Sequence, residues 1–111
     1  MSSLAVAIVV AAREQGLAKL DVLPFAGGGH ADLTGRLRGG QFVAIETRNG
    51  DARLTDEQVA YANETIDDGG FYLVAKSVAE ALDELRGALE DVAMTDALIR
   101  GRDPLAAQSP W

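Results

Sequence analysis

Residues 31–48 read A-D-L-T-G-R-L-R-G-G-Q-F-V-A-I-E-T-R, and the fold depends on how this stretch pairs with itself. Residues 31–37 read as one strand and 41–48, rich in β-formers, as the next, with R-G-G as a hairpin signal between them. Side chains alternate along a strand, so Glu46 and Arg48 share one face, roughly 6.5 Å apart, and Val43, Ile45 and Thr47 share the other. Loop length then decides what faces Glu46. A three-residue loop, Arg38-Gly39-Gly40, sets Leu37 opposite Gln41 and Asp32 opposite Glu46. A two-residue loop, Gly39-Gly40, sets Asp32 opposite Thr47 and on the wrong face unless a bulge intervenes. In the first case two carboxylates meet across the strand pair, about 4.5–5.5 Å apart at Cβ. That is unfavourable unless a cation sits between them.

Upstream, Ser2 or Ser3 can cap a helix over roughly 4–15, and Gly16 can end it. Its apolar surface is nearly all-round, which predicts cover on most sides. Residues 18–24 alternate as a strand, and F-A-G-G-G-H follows as a loop. Downstream of the hairpin, N-G-D-A-R is a loop. T-D-E-Q then reads as a capping box, with Thr55 as N-cap and Gln58 at the third helical position. That helix runs to about Asp68 with Val59, Ala62 and Ile66 as its stripe, and Gly69-Gly70 closes it. F-Y-L-V-A lacks alternation, as expected of a strand buried on both faces. Ser77 caps a last helix whose core face is Val78, Ala81, Leu82, Leu85 and Leu89. The pattern weakens from Asp91, so the domain is read as 1–92, with 93–111 as a C-terminal extension carrying Trp111. The order α-β-β-β-α-β-α predicts an α/β domain. Three strands form an antiparallel meander, and a crossover through the second helix adds a fourth, parallel strand.

The chain has 111 residues, 48% hydrophobic and 24% charged, in the range of one globular domain. It has no Cys, which excludes disulfides and thiolate metal sites. The apolar run 4–12 is too short to span a bilayer, which needs about 20 residues. It also lacks the basic residues that precede a signal sequence. No membrane partner and a cytoplasmic location, or a virion, are expected. The formal charge is −7, which argues against wholesale nucleic-acid binding. Its distribution is uneven. Residues 1–54 hold six basic and five acidic side chains, net +1, and 55–111 hold four and twelve, net −8. A polyanion would therefore be met by the first half, where Arg36, Arg38, Arg48 and Arg53 fall within 18 positions.

The segment A-D-L-T-G-R-L-R-G-G-Q-F-V-A-I-E-T-R-N-G-D-A-R-L-T-D-E-Q, followed by G-G-F-Y-L-V-A-K-S-V-A-E-A-L, resembles the virus-type replication-repair branch (VRR-NUC) of the PD-(D/E)XK nucleases. That branch reads P-D-L, a hairpin, I-E-x-K, a loop and L-(S/T)-x-x-Q. The similarity covers about residues 29–86. It implies a restriction-endonuclease-like αβββαβ core, a mixed four-stranded sheet flanked by helices, with an extra C-terminal helix. It implies a divalent-metal-dependent DNA endonuclease, acting on branched or replication and repair intermediates. Asp32, Glu46 and the Thr47 carbonyl would then bind Mg²⁺ or Mn²⁺. Gln58 would position water or phosphate, and Arg36, Arg38 and Arg53 would contact DNA. A homo-oligomer, such as a dimer through the first helix, also follows from the resemblance. The chain departs from the pattern in three places. Ala31 replaces the motif Pro, and no acidic residue stands early in the first helix. Most important, Arg48 replaces the motif Lys. Arginine keeps the charge but is planar and effectively never neutral.

Each residue also has a structural account. Glu46 and Arg48 can be an ion pair, Gln58 a capping residue, and His30, the only histidine, a loop residue. A catalytically lapsed domain of this fold, used for binding or assembly, is the alternative to an enzyme. A viral structural or regulatory protein of similar topology is another.

Overall fold

In the computed structural model, which describes residues 3–23, 29–48 and 53–99, the hairpin takes the three-residue loop. The Leu37 N–H donates to the Gln41 carbonyl at 2.8 Å, and the Gly40 N–H donates back to the Leu37 carbonyl. Gly39 and Gly40 lie at φ +104° and +105°, a region that side-chain-bearing residues rarely enter. The strands so joined are β2 (Leu33–Leu37) and β3 (Phe42–Thr47). Leu33 pairs with Ile45, so one step further Asp32 stands opposite Glu46. Strand β1 (Ala18–Val22) pairs antiparallel with β2. It approaches so closely that a Cβ on Gly35 would lie 2.0 Å from the Lys19 carbonyl oxygen.

Helix α1 (Ser3–Glu14) precedes β1. Helix α2 (Asp56–Asp67) crosses from β3 to β4 (Phe71–Ala75), and α3 (Val78–Ile99) closes the chain. Strand β4 pairs parallel with β3, giving one mixed sheet in the order β1-β2-β3-β4. The α/β architecture with a mixed four-stranded sheet flanked by helices is therefore present. The ends of the helices follow their local signals. Gly16 and Leu17 close α1 by hydrogen bonds to Arg13 and Ala12, and Gly69 and Gly70 close α2 on Ile66 and Thr65; both are Schellman patterns. Thr55 and Gln58 form the expected capping box, and the Ser77 hydroxyl accepts from the Glu80 N–H.

The sheet divides the protein into two unlike layers. Helices α1 and α3 pack on one face and on each other. Ile8, Leu20, Leu33, Val43, Ile45 and Leu85 are the largest fully buried side chains there. Helix α2 lies on the other face against β4. Four expectations are corrected. The α2 stripe is not Val59–Ala62–Ile66: Val59 and Ile66 are 43% and 57% exposed, while Ala62 and Thr65 are buried. The partner surface is mixed, with Ala44, Tyr72 and Val74 beside Asp32, Thr34 and Glu46, and α2 sets the small residues Ala62 and Thr65 against it. Helix α1 is covered on one side by Ala5, Ile8 and Ala12, and Val6 and Val10 remain exposed among the described residues. Strand β4 buries Leu73 and Ala75, with Phe71, Tyr72 and Val74 half-buried. Helix α3 also runs on to Ile99, past the fading of its apolar pattern at Asp91, with Ala97 buried. The loops expected at 24–28 and 49–52 and the terminal segment with Trp111 lie outside the described residues. No described helix is long and apolar enough to cross a membrane.

Candidate functional site

The open end of the β2–β3 hairpin gathers the four residues singled out in the sequence as catalytic. Glu46 is on β3, facing α2, and is 7% exposed. Its Oε1 accepts from Gln58 Nε2 at 3.3 Å. The capping box brings Gln58 there. Thr55 fixes the start of α2, and Gln58 turns its own Oε1 toward the Thr55 N–H at 2.8 Å. The same oxygen lies 3.4 Å from a guanidinium nitrogen of Arg48. One amide thus serves the helix cap, the carboxylate and the guanidinium together.

Asp32 completes the group from the residue before β2. Its Oδ2 accepts from the Thr47 N–H at 3.0 Å and from the Thr47 hydroxyl at 2.5 Å. The Arg48 N–H, one residue on, donates to Ala75 on the β4 side. In an extended strand the N–H and C=O of one residue project to the same side. The Thr47 carbonyl therefore lies on the side of Asp32.

The electrostatics of Glu46 are unusual for a surface-domain carboxylate. Burial first, and then the charge of Asp32, raise its pKa from 4.5 to about 7 against the opposing pull of Arg48. Its second oxygen, Oε2, is buried and has no hydrogen-bond partner among the described residues. A buried acceptor without a donor costs about 1–3 kcal/mol, which a proton on Glu46 or a bound cation would offset. The described residues contain no group of three or more His, Cys, Asp or Glu arranged to hold a metal. Mg²⁺ characteristically uses one or two carboxylates and keeps several waters. Asp32, Glu46 and the Thr47 carbonyl meet that requirement.

Tyr72 is a residue that the sequence pattern did not mark. It stands beside Ala44 on the face of Glu46. Its hydroxyl is buried and has no partner among the described residues. Burial, and then Glu46, push its pKa up to about 12. Tyr61 of α2 meets Tyr72 edge-on at 6.1 Å and His30 at 5.0 Å. His30 is thus an exposed loop residue held against an aromatic row, in keeping with its structural account. The only available signal for Tyr72 was its place two residues before Val74, the neighbour of Glu46.

Of the arginines expected to contact DNA, Arg36 and Arg38 are not brought to this end. Arg36 donates to the Gly40 carbonyl at 2.9 Å and Arg38 to the Gly16 carbonyl at 3.2 Å. Both therefore belong to the turn end of the hairpin. Arg53 is exposed just ahead of the α2 cap.

No protein-family model, curated protein or solved structure matches the chain.

Proposed function

We propose that the chain is a divalent-metal-dependent endonuclease that hydrolyses phosphodiester bonds in DNA at the Asp32–Glu46 pair. One observation carries the reading: two carboxylates face each other across a strand pair, and one oxygen of the buried member lacks a hydrogen-bond partner among the described residues. The PD-(D/E)XK resemblance of residues 29–86 also supports it, because it assigns the metal to the same two positions. A Mg²⁺ or Mn²⁺ ion bound by Asp32, Glu46 and the Thr47 carbonyl would supply an acidified water and positive charge beside the phosphate. Gln58, held by the cap, orients the attacking water. Arg48 stabilises the negative charge that builds on the phosphoryl oxygens. The water oxygen forms the new P–O bond, and the ester P–O bond to the leaving sugar oxygen breaks. One product ends in a phosphate and the other in a hydroxyl, which receives a proton from solvent. A homodimer through α1 belongs to the same reading, with Val6 and Val10 on its exposed side.

The second reading is a lapsed nuclease domain retained for binding or assembly. Arg48 favours it, because a guanidinium orients water less well than the motif amine and already stands at the carboxylate cluster through Gln58. The test is cleavage of supercoiled and four-way-junction DNA by the full chain with Mg²⁺ or Mn²⁺. Cleavage is expected, with at least about 100-fold loss in Asp32→Ala and in Glu46→Ala. Activity confined to Arg48→Lys establishes the lapsed site. Cleavage by neither wild type nor Arg48→Lys rejects the enzyme reading.

A further inference from the structure

At the turn end of the same hairpin, a cavity of about 400 Å³ is lined by Arg13, Lys19, Arg36 and Arg38, with Gly16, Gly39 and Gly40. These four cations come from three separate segments: the last turn of α1, β1, and the β2 end with its hairpin loop. Among the described residues no carboxylate lines the cavity, although the chain carries 17 acidic against 10 basic side chains. Lys19 pairs directly with Arg36 across the antiparallel β1–β2 ladder, so both side chains project from the same face. Like charges directly opposed on a ladder are destabilising. Neither Lys19 nor Arg36 makes an ion pair with a described residue. Asp21, two positions along on the same face of β1, is opposite Thr34 instead.

The arginines are also aimed. Arg36 is anchored on the Gly40 carbonyl and Arg38 on the Gly16 carbonyl. Each bond uses one of the five donors of a guanidinium and fixes the plane of the rest. The loop that borders the cavity has no side chain at Gly39 or Gly40, so a ligand can approach its backbone. The volume is at the lower end of small-ligand sites, about 300–1,000 Å³. A single carboxylate would offset one charge of four. A phosphate group carries two or more acceptor oxygens in the fork geometry that arginine matches.

We propose that this cavity is a phosphate-binding site that takes a multiply charged phosphate, using Lys19 and Arg36 as the central pair and Arg13 and Arg38 as the flanks. The site lies about 13 Å along β2 from Asp32, four residues at strand spacing. It needs no metal and does not depend on the hydrolytic reading. The phosphate can belong to a nucleic-acid strand or to a free polyphosphate, and the experiment separates the two.

The experiment titrates the full chain, in EDTA, with inorganic pyrophosphate by calorimetry and with a short fluorescein-labelled DNA duplex by anisotropy. Backbone amide NMR during the pyrophosphate titration locates the site. Saturable pyrophosphate binding is expected, with shifts concentrated at residues 36–40 and 16–19. Lys19→Gln and Arg36→Gln should each weaken it about tenfold or more, since each removes a charge-assisted contact. Lys76→Gln, an equal charge change just past the far end of β4, should alter it less than about twofold. If pyrophosphate displaces the duplex and the same two variants lose it, the phosphate is that of nucleic acid. If the duplex does not bind while pyrophosphate does, the ligand is a free polyphosphate. Absence of pyrophosphate binding by the wild type, or shifts that spare both segments, overturns the proposal. So does equal weakening by Lys76→Gln. Because the readouts are made without metal, inactivity in the cleavage assay leaves this result standing.

Discussion

One face of β3 carries Val43 and Ile45, both wholly buried among α1, α3 and the neighbouring strands. The opposite face of the same six residues carries Ala44 and Glu46, with Arg48 just beyond, under α2. The first face is filled by apolar side chains that need only fit. The second is closed by a short helix whose inward positions, Gln58, Tyr61, Ala62 and Thr65, fall at helical spacing but are mostly polar or small. A strand alternates with period two, so neighbouring residues can serve stability and chemistry without sharing neighbours. The difference teaches that the carboxylate site is housed by the sheet but paid for by the other side of it.

The largest expected effect tests that division. Ile45→Ala removes a fully buried side chain and should cost about 2–5 kcal/mol, read by urea unfolding. A loss under about 1 kcal/mol would mean that the α1–α3 side is not the main source of stability.

Glu46→Gln tests the other face. The carboxyl of Glu46 has a pKa of about 7 in the folded chain against 4.5 ordinarily, so the folded state holds the proton more tightly. Its favourable contribution is complete below pH 4.5 and disappears as the pH rises through 7. Relative to Glu46→Gln, the wild type in EDTA should therefore lose roughly 3 kcal/mol between pH 4 and 8. Parallel stability curves for the two proteins would show that Glu46 is not held away from water. Added Mn²⁺ should restore wild-type stability at pH 8 and leave the variant unchanged.

The smallest effect sharpens the link between cap and site. Gln58→Ala breaks half of the capping box and the contact to Glu46, and should cost about 1 kcal/mol. The pH dependence assigned to Glu46 should grow, because the Gln58 amide that donates to its carboxylate is gone. A stability loss with no change in pH profile would make Gln58 a cap alone.

Much of the fold was legible because its signals are local. The Gly16 and Gly69 helix ends, the Thr55–Gln58 box and the Ser77 cap each depend on a few adjacent residues, and each is present as expected. The inward face of α2 was not legible. Apolar periodicity pointed to Val59 and Ile66 along with Ala62, but a helix turns to match the surface it covers, and that surface mixes Ala44, Tyr72 and Val74 with Asp32, Thr34 and Glu46. The end of α3 was missed for a related reason. Only Ala97 is buried in its last seven residues, so the helix continues with little apolar pattern to announce it. Tyr72 was hidden in a strand without alternation.

By itself the sequence determined the order of elements, their caps and turns, and the set Asp32, Glu46, Arg48 and Gln58. It left two hairpin registers open, differing by one residue and therefore by which face Asp32 occupies. Only the tertiary structure decided between them, setting Asp32 opposite Glu46 and burying under α2 a carboxylate oxygen that has no hydrogen-bond partner among the described residues. It also brought Arg13 and Lys19 to Arg36 and Arg38. Local propensity acts over a few residues, whereas strand register, burial and the meeting of charges from distant segments are fixed by packing.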